Sequence, residues 1–334
     1  MRLEKKVVGW FGGAILALPL VAGATSCTPQ AELLAPDRDA LAAAASRIAE
    51  AVASQDYATL KAVLLPAVAA DWEGIRGTVE GTASLVRGGK LQLENAYLLD
   101  ASSLTAAANT QFFCSTPTGS QTVTLTMQAL PPGRYAVVLA EAAGSQYGGQ
   151  MGIILAWDGT DAKPGWKLGG ISIRPGIIDE HDGVFYWSKA RSLAGNSEKA
   201  DAWSAWFNYD LARALLLPLD FLSSPNLEKL NQEQGTIRNS PQDAFPYTLT
   251  DGPRSWKIDA VRLDPSLLHA DLGVVYESNG VTDLAAQKTE ALAVLSALLK
   301  AQPGLRDNFH GLSAVSVKDG KQTPVMEVAM GQVP

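Results

Sequence analysis

The stretch "MGIILAWDGTDAKPGWKLGGISI" (residues 151–173) decides the fold class of this chain. Its two apolar runs, 151–157 and 166–173, are rich in the Ile, Leu and Trp residues that strands favour. Asp158-Gly159 lies between the runs and is a preferred pair for a tight hairpin turn. Strands joined by so short a connection pair in antiparallel fashion. The stretch therefore predicts a hairpin within an antiparallel sheet.

Three segments before it predict further strands of the same sheet: "KLQLENAYLL" (90–99), "TVTLTM" (122–127) and "RYAVVLA" (134–140). Pro131-Pro132-Gly133 predicts a hairpin connection between the last two. Alternation in the first segment places four side chains on one face, namely Leu91, Leu93, Tyr97 and Leu99. Consecutive strands with short connections indicate a curved antiparallel sheet with helices on one side.

The residues before these strands predict the covering helices. "DRDALAAAASRIAEAVASQDYATLKAVLLP" (37–66) has apolar residues at helical spacing from Leu41 to Val52, and Pro66 ends the second piece. Helices followed by a meander with a Trp-rich terminal hairpin resemble the nuclear transport factor 2-like cone fold, over residues 37–174. The resemblance implies one domain over residues 37–176 with a concavity. Ketosteroid isomerase belongs to the same superfamily.

The second half of the chain predicts two further units. Residues 177–222 predict a helical hairpin, with helices over 183–194 and 198–217. Residues 223–334 predict a smaller C-terminal α+β domain, in which a long helix over 282–302 covers an antiparallel sheet. The fold class predicted for the whole chain is α+β.

The first residues of the chain predict export. A basic start followed by a short apolar run is typical of a secretory signal peptide. Ala24, Thr25 and Ser26 directly before Cys27 resemble the lipobox of bacterial lipoproteins. The resemblance implies a signal peptide over residues 1–26, a lipid attached to Cys27 and a tether over residues 27–36. The predicted location is then the bacterial cell envelope, anchored to a membrane and facing the periplasm or the exterior.

Two other interpretations of the leader stay open. The apolar run could remain uncleaved as a membrane anchor, although it is shorter than the roughly 20 residues that such an anchor needs. Alternatively, a conventional signal peptide could be cut nearby and leave Cys27 free or paired with Cys114. Cys114 lies in "TQFFCST", which predicts a small buried strand residue rather than a reactive nucleophile.

Composition excludes several classes of function. The chain has 27 Lys and Arg against 34 Asp and Glu, for a net charge of −7, and no basic cluster. It therefore lacks the electrostatic signature of a nucleic-acid binder and a polybasic segment for anionic lipid. Phosphate-loop, zinc-protease and nucleophile-elbow motifs are missing from the sequence. No cofactor is predicted.

One polar motif predicts a weak candidate site. In "DEHD" the residues Asp179, Glu180, His181 and Asp182 could hold a divalent cation or act as an acid–base pair. The alternative is a loop between domains in which Asp182 or Asp179 caps the next helix. The two other histidines, His269 and His310, are far apart in sequence, and the three together do not predict a metal site.

Aromatic residues of the helical hairpin predict a candidate binding face. Trp203, Phe207 and Leu211 lie at helical spacing, and Trp206 and Arg213 are nearby. Such a face can bind a sugar, an aromatic ligand or a peptide. It can equally be a wedge that joins the hairpin to both flanking domains.

Tyr97 is a further candidate for ligand binding, because a catalytic cone needs a carboxylate base and an oxyanion donor. Tyr97 with Asp100 and Tyr135 with Glu141 are the pairs of suitable type. Glu94 and Asp100 are out of phase with the predicted apolar face and are expected in solvent. We therefore do not predict an acid–base set from the sequence.

The sequence predicts non-catalytic binding of a ligand or protein in the cell envelope. Its predicted partners are the membrane, through a lipid anchor, and a protein or small molecule of the envelope. Two alternatives remain: an isomerase or hydrolase that uses the concavity of the N-terminal domain, and a structural component of the envelope.

Overall fold

A computed structural model describes residues 25–115, 122–160, 164–195, 201–264, 268–281 and 283–334, without the side chain of residue 243. The protein is an α+β protein with largely antiparallel sheets, as the sequence predicts. The leader predicted over residues 1–26 lies outside the described residues except for its last two. Within the described ranges, no helix has the length and apolar character needed to cross a membrane.

The described residues of the first half form three α-helices and seven strands. These are β1 (Ser26–Pro29), α1 (Ala35–Ser54), α2 (Tyr57–Ala62), α3 (Trp72–Val86), β2 (Lys90–Asp100), β3 (Ala108–Ser115), β4 (Thr122–Leu130), β5 (Arg134–Ala143), β6 (Gln150–Asp158) and β7 (Gly165–Arg174). Five of them form an antiparallel sheet in the order β1-β2-β5-β6-β7, which we call the main sheet. The predicted hairpin of β6 and β7 is confirmed by their antiparallel pairing, with Asp158 opposite Gly165.

Helices α1 and α3 cover one face of the main sheet. Leu41 and Ile48 of α1 are buried against Val138 of β5 and Ile153 of β6. The helical spacing and the strand alternation thus meet in one core, where each fully buried aliphatic side chain contributes about 1.5–3 kcal/mol. The predicted helix-covered sheet is confirmed, and the resemblance to the cone fold stays a prediction.

Strands β3 and β4 do not belong to the main sheet. They form a separate three-stranded sheet, in the order β10-β4-β3, with the short strand β10 (Leu222–Ser223). This small sheet packs on the other face of the main sheet, where Phe112 and Leu125 meet Leu99 and Val137. The hairpin predicted at Pro131-Pro132-Gly133 is therefore wrong, because this segment connects two sheets.

The segment expected to be a tether is folded. Residues 26–29 form β1, which pairs with β2 so that Cys27 lies opposite Leu99. A turn of 3-10 helix follows over Gln30–Glu32, and Leu33 is buried in the core beneath α1. Main-chain pairing of β1 with β2 orders this segment, which its composition alone does not predict.

The second half contains the remaining elements. They are β8 (Ile177–Ile178), β9 (His181–Asp182), α4 (Gly183–Gly195), α5 (Ala202–Leu216), β10, α6 (Pro225–Gly235), β11 (Tyr247–Asp251), β12 (Arg254–Leu263), β13 (Asp271–Glu277), α7 (Leu284–Ala301), α8 (Gly304–Asn308), β14 (Gly311–Lys318) and β15 (Lys321–Ala329). Strands β11 to β15 form a sheet in sequence order. Ser224 caps α6 and Asp283 caps α7, and α7 lies within the long helix predicted over residues 282–302. Residues 196–200, which include the predicted start of α5, lie outside the described residues.

The C-terminal sheet is not wholly antiparallel. Strands β13 and β14 pair in parallel because α7 and α8 carry the chain back to the end at which β13 began. Strands β14 and β15 form a hairpin at Asp319-Gly320, and both turn residues have positive φ.

The α4–α5 hairpin belongs to the C-terminal core. Phe207 and Leu211 of α5 are buried in one cluster with Trp256 and Ile258 of β12 and Leu295 of α7. The chain therefore packs as an N-terminal unit and a C-terminal unit that includes the hairpin. The predicted boundary near residue 223 falls inside this second unit.

Candidate functional site

The main pocket of the described residues lies where the N-terminal unit meets the hairpin. Its volume is about 630 Å³, within the range of small-molecule sites. The face of the main sheet opposite α1 and α3 forms the floor, with Tyr97, Leu139 and Gln150. The segment after β1, the small sheet, the start of α4 and the loop between α5 and α6 form the walls.

A β-bulge in β2 shapes the floor of this pocket. The pairing with β5 shifts at Glu94, since Leu93 lies opposite Ala140 and Asn95 lies opposite Leu139. The extra residue turns Leu93 toward the helices and Tyr97 toward the pocket. The sequence prediction that Leu91, Leu93, Tyr97 and Leu99 share one face is therefore wrong. Bulges of this kind re-aim side chains next to binding sites.

Among the described residues of the pocket lining, the charged side chains are two carboxylates. Glu94 at the bulge is exposed, as predicted, and Glu141 on β5 is half-buried. Neither carboxylate accepts a hydrogen bond or forms an ion pair with a residue that the structure describes. Among the described lining residues there is no Lys, Arg or His. The pocket therefore carries negative charge without an internal counter-ion.

Polar uncharged groups add hydrogen-bonding capacity. Burial raises the pKa of the Tyr97 phenol, which keeps it protonated and able to donate. Gln150 is oriented by the hydrogen bond that its Nε2 donates to Leu215 O. The buried Oε1 of Gln30 accepts no hydrogen bond within the described part of the chain. Tyr97 is the one binding candidate from the sequence that lines this pocket.

A disulfide supports one wall of the pocket. Cys27 of β1 is bonded to Cys114 of β3, with their Cα atoms 5.2 Å apart. Cys114 is buried, as the sequence predicts for a strand residue, and it lines the pocket. Lipid attachment to Cys27 would use the same sulfur atom as this bond. The two states of Cys27 are therefore chemically exclusive, and the structure holds the disulfide.

Trp187 of α4 lies at the rim of the pocket and is held in place by Glu233 of α6. Its Nε1 donates a hydrogen bond of 2.7 Å to Glu233 Oε2. Arg191 donates two more to the same carboxylate, at 2.7 and 2.8 Å, and its guanidinium lies over the Trp187 ring. The Arg191 hydrogen bonds keep the pKa of Glu233 below its ordinary value.

The aromatic residues predicted as a binding face lie elsewhere. Trp203 and Phe207 are buried in the C-terminal core, and Trp206 is half-buried against it. Trp203 makes edge contacts with Phe245 and Tyr247, at centroid distances of 5.7 and 5.9 Å. These side chains pack within the C-terminal unit, so neither the binding face nor the wedge between two domains is formed. Arg213 is exposed in a different cleft.

The "DEHD" residues form a tight turn rather than a cluster. Asp179 and Glu180 have positive φ values of 48° and 66° and connect β8 to β9. Asp182 Oδ1 accepts a hydrogen bond from Phe185 N, which confirms the predicted cap at the start of α4. The His181 ring stacks on Phe185 at 3.6 Å. The side chains of His181 and Asp182 therefore contact Phe185 and do not converge on one site.

Asp179 instead contacts the C-terminal sheet. Its carboxylate lies 2.7 Å from His269 Nδ1 and accepts a hydrogen bond from Ala270 N. The His269 ring stacks on His310 at 4.1 Å, and His310 Nδ1 lies 3.0 Å from Asp271 Oδ1. Within the described ranges, no group of three His, Cys, Asp or Glu side chains is placed to hold a metal ion. These contacts join the β8–β9 turn to the start of β13 and β14.

Two of the acid–base candidates are placed outside the pocket. Asp100 accepts a hydrogen bond from Ser102 N, which lowers the pKa of its carboxyl group. Tyr135 donates to Pro131 O at 2.9 Å. Glu141 and Tyr97 do line the pocket, but no hydrogen bond joins them. The pocket thus holds a carboxylate, Glu141, and a phenol donor, Tyr97, but no described contact joins the two into an acid–base pair.

The sequence analysis did not predict most of the residues that form the walls of the main pocket. Nothing in "SCTPQ" predicts an edge strand, and Trp187 and Gln150 are ordinary residues of their segments. Glu94 carried one usable signal, because "LENAY" interrupts the apolar alternation at the bulge. Comparison of the chain with protein-family models, with curated proteins and with solved structures finds no match.

Proposed function

We propose that this chain is an exported, non-catalytic binding protein that holds a small, largely apolar molecule with a positively charged group in the main pocket. One observation carries the proposal: a pocket of about 630 Å³ whose charged lining groups, among the described residues, are Glu94 and Glu141. A cation satisfies both carboxylates, whereas an anion would be repelled by them.

The uncharged lining sets the other part of the ligand. Leu139, Leu216 and Leu227 provide apolar surface, and Trp187 provides an aromatic edge at the rim. Apolar walls with a few placed polar groups are typical of small-molecule sites.

Export is supported by two independent features of the chain. The leader has the composition of a signal peptide, and the Cys27–Cys114 bond is of a kind that persists in oxidising compartments. Lipid attachment at Cys27 stays a prediction. It would place the protein in the cell envelope with Cys114 as a free thiol.

Intact mass spectrometry of the protein recovered from a bacterial host tests the export. We expect a chain without its leader that gains the mass of two hydrogens on reduction. Acyl mass on a chain beginning at Cys27 would replace the disulfide by the lipid anchor and leave the ligand proposal standing. A full-length chain with both thiols reduced would overturn export.

The ligand class can be tested with two probes of equal chain length. Calorimetric titration with octyltrimethylammonium and with octyl sulfate separates charge from apolar contact. We expect saturable binding of the cation and weaker binding of the anion. In the Glu94→Gln/Glu141→Gln variant, the affinity for the cation should fall by about tenfold or more.

Two matched variants locate the binding. Leu139→Trp should fill the pocket and abolish binding of the cation, because Leu139 lies on the floor. Leu284→Trp should leave binding unchanged, because Leu284 is exposed on α7 and lines no described pocket. Equal affinity for both probes, or binding that survives Leu139→Trp, would overturn the proposal.

A further inference from the structure

Three arginines converge in a second cleft, which lies outside the main pocket. The cleft has a volume of about 300 Å³ and is formed by the end of β7, the end of α5 and β12. Arg174, Arg213 and Arg262 come from these three elements in turn. In a chain of net charge −7, such a local excess of guanidinium groups runs against the overall composition.

Arg174 has a structural role in this arginine cleft. Its Nη1 donates to Leu217 O at 3.1 Å, and its Nη2 lies 2.8 Å from Asp220 Oδ1. The first contact satisfies a carbonyl just after α5, where main-chain acceptors have no helical partner. The Asp220 carboxylate is thereby paired with Arg174.

Arg213 and Arg262 are the two arginines of the cleft that have no such structural contact among the described residues. Both are exposed at the cleft, and neither forms a hydrogen bond or a salt bridge with a residue that the structure describes. Arg213 acts on Asp210 through its charge alone. Two like charges in one cleft repel each other unless an anion lies between them.

Asp210 is a second carboxylate of the cleft lining, and it is bonded to α6. It is half-buried, and its carboxylate accepts a hydrogen bond of 2.7 Å from Gln234 Nε2. Burial raises the pKa of this carboxyl group above its ordinary value. The carboxyl group is thus bonded to α6, and the two arginines line the cleft.

We propose that the arginine cleft binds the phosphate group of a small phosphate monoester, held by Arg213 and Arg262. The planar guanidinium group matches phosphate oxygens in pairs and remains charged at every relevant pH. The volume suits one phosphate with a short substituent and not a polymer. This site shares no described lining residue with the main pocket, so either can fail without the other.

Calorimetric titration of the full chain with glycerol 3-phosphate and with inorganic phosphate tests this site, with chloride at equal ionic strength as the reference. We expect saturable binding of both phosphates that Arg213→Gln and Arg262→Gln each weaken by about tenfold or more. Arg238→Gln is the matched control, because Arg238 is exposed and lines no described pocket. Asp210→Asn should tighten binding, since it keeps the acceptor for Gln234 and removes a carboxylate.

The same phosphate chemistry can come from a lipid headgroup. Sedimentation with phosphatidylcholine vesicles, with and without phosphatidate, separates the two sources. Binding to phosphatidate vesicles that Arg213→Gln abolishes would assign a headgroup, and binding of the soluble ester alone would assign a free metabolite. Chloride that competes as well as phosphate, equal losses in Arg238→Gln, or no saturable binding in either arm would overturn the site.

Discussion

Cys27 and Cys114 join the first strand of the main sheet to the small sheet on its opposite face, across a sequence separation of 87 residues. Cys27 also pairs through its main chain with Leu99 of β2. The bond thus fixes β1 against two sheets and closes a wall of the main pocket.

Removing this disulfide should lower stability by about 2–5 kcal/mol, because the bond closes a long loop and restricts the unfolded chain. The double variant Cys27→Ser/Cys114→Ser can be compared with the wild type by urea unfolding. The wild type in reductant should shift to the midpoint of the variant, and the variant should not respond to reductant. Equal midpoints for all samples would contradict a structural role for the bond.

Trp203→Ala should destabilise the C-terminal unit by about 3–5 kcal/mol, because it empties a buried aromatic position. Trp203 contacts Phe207, Phe245 and Tyr247 through ring edges, so the loss affects α5 and the start of β11 together. Thermal unfolding followed by near-ultraviolet circular dichroism measures the change.

Trp206→Ala is the control for that prediction. Trp206 is half-buried on the same helix, so its removal should cost less than that of Trp203. If both variants keep wild-type stability and Trp203→Ala alone loses binding of the octyltrimethylammonium probe, the binding face predicted from the sequence would replace our interpretation of these residues as core.

The parts of the fold that follow from periodicity could be predicted from the sequence. Strands β5, β6 and β7 and helix α7 combine strong patterns with clear turn or cap residues, such as Asp158-Gly159 and Asp283. What could not be predicted is the partner of each strand. The pairing of β1 with β2 depends on main-chain hydrogen bonds between residues about 70 positions apart, which carry no local signal.

The sites depend on the same long-range information. Glu141 and Gln30 share a pocket only because β1 folds onto the main sheet. Arg174, Arg213 and Arg262 are far apart in sequence and carry no local pattern. The sequence places Arg213 beside the aromatic residues of α5, and no local pattern links it to Arg174 or Arg262.

Glu233→Gln should make the protein less sensitive to acid. The Arg191 hydrogen bonds lower the pKa of Glu233 from its ordinary value of 4.5, so the folded state favours the ionised form. The resulting stability is present above the unfolded pKa and is lost as the pH falls through the folded pKa. Both side chains are partly exposed, with 45% of Arg191 and 25% of Glu233 accessible. We therefore expect the ion pair to raise the free energy of unfolding by about 1 kcal/mol at neutral pH.

Urea unfolding of the wild type and of Glu233→Gln at pH 7 and near pH 3 measures this difference. The variant should be less stable at pH 7, and the gap should narrow at the lower pH. Glu327→Gln serves as the control, since Glu327 forms no hydrogen bond or ion pair with a described residue. A gap that stays constant between the two pH values would show that the ionisation of Glu233 contributes nothing.

Deleting Glu94 should leave the fold intact and remove the bulge of β2. Without the extra residue, Leu93 still faces the helices and Asn95 still faces the pocket, because adjacent strand residues alternate. Deleting Gln92 has the opposite effect: the strand must either turn Leu91 away from the helical core or bury Glu94 in it. We expect the first deletion to change stability by less than about 1 kcal/mol and the second to cost about 2–3 kcal/mol. Urea unfolding of both deletions measures the two losses. An equal loss would mean that the bulge itself is required for folding, beyond the opposite facing of Leu93 and Tyr97 that it permits.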